Sequence, residues 1–136
     1  MSTELGFHVE LDLAFGDALT RVREALKQEG FGVLTEIDLR AAFREKLGRD
    51  FRPYVILGAC NPPLAFSAIS ADPSVGLLLP CNVTVEWLAD GRSGVRLTDP
   101  EALLSTVALR GAPELRAVAQ DARERMMRVA ASLAKP

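Results

Sequence analysis

Phe7, Val9, Leu11 and Leu13 alternate with His8, Glu10 and Asp12. A period of two predicts a strand at 6–13 with one face in a core and the other toward water. From Phe15 the period lengthens. Phe15, Leu19, Val22 and Leu26 fall at helical spacing, Arg21, Arg23 and Lys27 lie off that stripe, and Gly30 supplies a stop, so 15–29 is predicted as a helix. Phe31, Val33, Thr35 and Ile37 then oppose Leu34, Glu36 and Asp38, a second strand following almost at once. A short helix is expected at 40–47.

The run Tyr54 to Cys60 is continuously apolar and bounded by Pro53 and by Asn61-Pro62-Pro63, which predicts a central strand at 54–60 covered on both faces. Asn61 is a good N-cap, and proline suits the first turn of a helix, so a helix begins at 62 and runs to about 70. Asp72-Pro73-Ser74-Val75-Gly76 breaks it. Leu77, Leu79, Cys81, Val83, Val85 and Trp87 alternate with the rest and predict the longest strand, 77–88, with Leu78 and Leu88 on its other face. Asp90-Gly91 turns the chain into a fifth strand at 93–98, and Asp99-Pro100 ends it ahead of a turn of helix at 101–107. From Pro113, the positions Leu115, Val118, Ala119, Ala122, Met126, Val129, Ala130 and Leu133 form the apolar stripe of a long last helix.

Strands grouped after one helix, with a hairpin among them, argue for an α+β fold: a mostly antiparallel five-stranded sheet backed by helices. With 136 residues and no linker, one domain over 1–136 is expected. At 49% apolar and 25% charged residues the composition is that of a globular chain.

The net charge of −2 lacks the excess a nucleic-acid binder uses for counterion release. A local exception is the basic stretch 40–52, read first as a solvated helix face. No apolar run approaches the roughly 20 residues that span a bilayer. The start, Met-Ser-Thr-Glu-Leu-Gly, lacks a secretory pattern. A cytoplasmic location with reduced cysteines is the expectation.

Ile56-Leu-Gly-Ala-Cys-Asn-Pro-Pro-Leu-Ala65, Gly76-Leu-Leu-Leu-Pro-Cys-Asn-Val-Thr-Val85 and Thr98-Asp-Pro100 follow one another as in a bacterial family. Over most of its length the chain resembles the family known as domain of unknown function 302. The resemblance implies the order strand, helix, four strands, helix, similar to the TATA-binding-protein fold, and supplies no activity. Many relatives lack the two cysteines, so their role belongs to a subgroup.

Those cysteines are the candidate chemistry. The strand ending at Cys60 runs into a helix N-terminus, whose dipole and free N–H groups favour a thiolate. Pairing of the strands at 54–60 and 77–88 brings Cys81 near it, with Asn61 and Asn82 adding polar groups. A ligand pocket is expected from Cys60, Asn61, Cys81 and Asn82, and Cys60 with Cys81 suit a soft cation, Cu(I) or Zn(II), or a redox pair. Against this stands ordinary core packing of reduced cysteine.

His8, the one histidine, is expected at the surface, and a closed zinc site would need four ligands. No nucleophile, Walker or dinucleotide motif is present. A non-enzymatic binding module therefore leads, ahead of an interaction protein and a thiol-dependent enzyme. A homodimer is expected because two long helices cover only one face of the sheet.

Overall fold

A computed structural model describes residues 4–108 and 113–135. The chain runs β1 (Gly6–Leu11), α1 (Phe15–Gln28), β2 (Gly32–Asp38), α2 (Leu39–Leu47), β3 (Tyr54–Cys60) and α3 (Pro62–Ala71). A 3-10 helix at Pro73–Leu78 follows, then β4 (Cys81–Ala89), β5 (Arg92–Thr98), α4 (Pro100–Ala108) and α5 (Pro113–Ala134). The strands form one antiparallel sheet in the order β1-β5-β4-β3-β2. The α+β architecture read from periodicity is the one observed. Among the described residues no helix is long and apolar enough to cross a membrane.

Alternation along each strand sends one set of side chains to the helices. Val55, Leu57, Val83, Val85, Val95 and Leu97 lie in one core cluster with Val22 and Leu26 of α1 and with Met126, Val129 and Leu133 of α5. All eight stripe positions expected in the last helix are buried. A second cluster joins Ala68, Val75, Leu104, Leu115, Val118 and Ala119, with Leu79 packing against both clusters.

Helix α1 ends as its sequence dictates. Gly30 takes φ +84°, Phe31 N–H donates to the Leu26 carbonyl and Gly30 N–H to that of Lys27, the paired closure that glycine permits beyond a helix end. Arg125 of α5 donates to the Glu29 carbonyl at 3.0 Å, and Arg128 pairs with the Glu29 carboxylate at 2.8 Å. The two long helices are thereby tied at the end of α1.

Four expectations need correction. The bulge between Val33 and Thr35 breaks the alternation of β2, so Thr35 and Ile37 stand opposite Gly58 and Ile56 on the far face from the helices. Residues 77–80 are not strand. Asp72 caps the 3-10 helix by accepting from the Ser74 N–H and hydroxyl, and the ladder starts only after Pro80, which has no N–H to give it. Leu78 accordingly packs at the second cluster rather than on a strand face.

Strand β3 is covered on one face only: Val55, Leu57 and Ala59 are buried, while Tyr54 and Ile56 are half-buried. The short helices leave that face open: α3 packs against α5, and α2, though it touches β3, buries none of its residues.

Candidate functional site

Strand β3 carries Cys60 to the mouth of α3, and Ala59 pairs with Cys81 at the start of β4. Neither cysteine is in a disulfide. Both line one cavity of about 40 Å³ at the seam of the two core clusters, walled by Phe31, Leu64, Leu79 and Val118. Burial pushes the Cys81 thiol up to about 11, and the charge of Cys60 adds to the rise. Both expected cysteines therefore contribute to the wall of one apolar space.

Asn61 joins them. It is buried, and its Oδ1 accepts the Leu64 N–H at 3.3 Å, the predicted N-cap. That bond corrects the reason given for a thiolate at Cys60. Pro62 and Pro63 have no N–H, Leu64 donates to the Asn61 side chain and Ala65 to the Asn61 carbonyl, so the first turn of α3 leaves no N–H for a neighbouring sulfur. A methyl group on Gly30 would come 2.9 Å from Asn61 Nδ2, so the end of α1 and the cap of α3 are fitted to each other.

Asn82 does not converge. Cys81 and Val83 face the helices and Asn82 the open face, where it lines a different cavity with His8. The signal was present in the sequence, since adjacent strand residues point to opposite sides. Among the described residues, no group of three or more His, Cys, Asp or Glu would hold a metal ion.

Sequence reasoning missed the charged cluster on the open face. Glu86 of β4 is 3% exposed and takes Arg52 at 2.8 Å on one oxygen and Arg96 on the other. Burial pushes its carboxyl up, but the hydrogen bonds from Arg96 and Arg52 outweigh that and hold it below its ordinary value. Arg52, read as part of a solvated basic stretch, is thus drawn onto the sheet. The register that places Arg96 beside Glu86, and the return of the chain that brings Arg52, are tertiary facts with no local periodic signal.

Residues 7–133 match the family described as Domain of unknown function DUF302. Among solved structures the chain is similar to the uncharacterized conserved protein DUF302 from Bacillus stearothermophilus. The TM-score is 0.82 and the identity 30%, covering 96% of this chain and 99% of that one. No curated protein matches. The chain belongs to the DUF302 family.

Proposed function

We propose that the protein is a non-enzymatic binding module that holds one soft cation between Cys60 and Cys81. The observation that carries this reading is that Cys60 and Cys81 both belong to the wall of a single apolar cavity of about 40 Å³. That volume admits an ion or a few water-sized groups and lies far below the roughly 300–1,000 Å³ of pockets for drug-sized ligands. Among soft cations, Cu(I) is satisfied by two thiolates, whereas a closed zinc site asks for four ligands, which the described residues of one chain do not bring together. Thiols held ready for such an ion belong in a reducing compartment, and the cytoplasm is the proposed location.

Anaerobic titration of the reduced protein with Cu(I), in competition with a chromogenic chelator, is expected to give one ion per chain. The binding should be lost in both Cys60→Ser and Cys81→Ser. Equal copper retention by wild type and both variants overturns the site.

A second reading, a homodimer whose interface is its function, is favoured by the open face of the sheet. Tyr54, Ile56 and Leu88 are only half-buried there and Ile37 is exposed, and apolar surface of this kind marks contact sites.

A further inference from the structure

We propose that the open face of the sheet carries a binding site for a small organic carboxylate, held by Arg96 and Thr84. His8, Arg96 and Thr84 stand directly opposite one another across β1, β5 and β4, and each faces away from the helices. Beside this row lies a concavity of about 480 Å³, within the range of small-molecule sites.

The chemistry of the lining selects an anion. Arg96 and His8 line the cavity with the hydroxyl and amide groups of Tyr54, Thr84 and Asn82, and no carboxylate does. Glu86, one row away, is shared between Arg96 and Arg52, so two guanidinium groups meet one carboxylate and a positive charge is left over. Arg96 keeps about half of its side chain exposed, leaving N–H groups for a second acceptor.

The hydroxyl oxygen of Thr84, a residue of the cavity lining, is shielded from solvent and has no hydrogen-bond partner among the described residues, so a bound group reaches it once the Thr84 side chain turns toward the cavity. A buried polar atom with no partner carries an uncompensated cost that a bound acceptor or donor would remove. The cavity also has an apolar wall, formed by Leu5 and the Tyr54 ring, and is larger than an inorganic anion needs. A carboxylate against Arg96 and Thr84, with its carbon skeleton toward Tyr54, satisfies both features.

The chain has one histidine and one tyrosine, and both line this cavity, so their ring signals in ¹³C- and ¹⁵N-labelled protein report on it directly. Titration with benzoate or hexanoate is expected to shift both rings saturably, with benzamide at least about tenfold weaker. Arg96→Gln should weaken benzoate by about tenfold or more, and Thr84→Val by a smaller factor of about threefold. Because Arg96 also holds Glu86, a misfolded Arg96→Gln shifts the decision to Thr84→Val and to the benzoate and benzamide comparison in wild type. No saturable response to either acid up to about 10 mM overturns the proposal. So do equal affinities for benzoate and benzamide, a response to inorganic phosphate alone, or wild-type binding by both folded variants.

Discussion

Cys81 and Asn82 are neighbours in sequence and sit on opposite sides of one sheet, so a single peptide unit separates the thiol cavity from the open face. For the metal-free, reduced protein the position of Cys81 has a consequence in alkali. An ordinary thiol titrates near 9.0 and this one near 11, so between those values the folded chain keeps a proton that the unfolded chain has lost. The stabilisation is complete below about pH 9 and is lost as pH rises toward 11. At about 1.4 kcal/mol per unit the loss is roughly 2–3 kcal/mol. Urea melts of wild type and Cys81→Ala across this range should show the difference between them shrinking by that amount. A constant difference places Cys81 in a wetter site than the one described. At this scale the end of β3 at Cys60 and the Asn61 cap were legible, because a strand running into Asn-Pro is a local signal. Asn82 was misjudged although alternation with Cys81 places it on the other side, and Glu86 was missed for want of a register.

At the scale of elements, the stripes of α1 and α5 are repeated over several turns, which is why every expected position of α5 is buried. Leu26 is 0% exposed and packs beneath the sheet, so Leu26→Ala should cost roughly 2–5 kcal/mol in denaturant melts. Leu34, with the same side chain, sits at the bulge of β2 and is 67% exposed, and Leu34→Ala should stay within about 0.5 kcal/mol. Similar losses at the two sites would undo both face assignments. A bulge is invisible to pattern reading because it moves one residue and reverses every face after it. The 3-10 helix was misread for a related reason. Leu77 and Leu79 alternate as a strand would, yet Leu77 is 89% exposed and belongs to a segment fixed by the Asp72 cap.

At the scale of the molecule, helices crowd one side of the sheet and leave the other to Tyr54, Ile56, Ile37 and the Glu86 cluster. Light scattering coupled to gel filtration, under reducing conditions, is expected to give a mass near twice 14.7 kDa. Ile37→Lys should halve that mass, and Phe66→Lys, a change on α3 away from the sheet face, should not. A wild-type mass of one chain refutes the dimer, and disruption by Phe66→Lys alone moves the interface to α3. The strand order was beyond sequence reading, since nothing local states that β1 pairs with β5.

That pairing governs how the protein is made. Phe7 waits for Leu97 before its strand has a neighbour, and the apolar side of the sheet waits for Met126, Val129 and Leu133. A growing chain therefore carries β1 unpaired through most of its synthesis, while α1 finds β2 and β4 as they emerge and α5 only at the end. The pairs β2–β3 and β3–β4 join neighbours in sequence, so what a ribosome-bound fragment ending before β5 lacks is the partner of its first strand, an orphaned edge for chaperones to shelter.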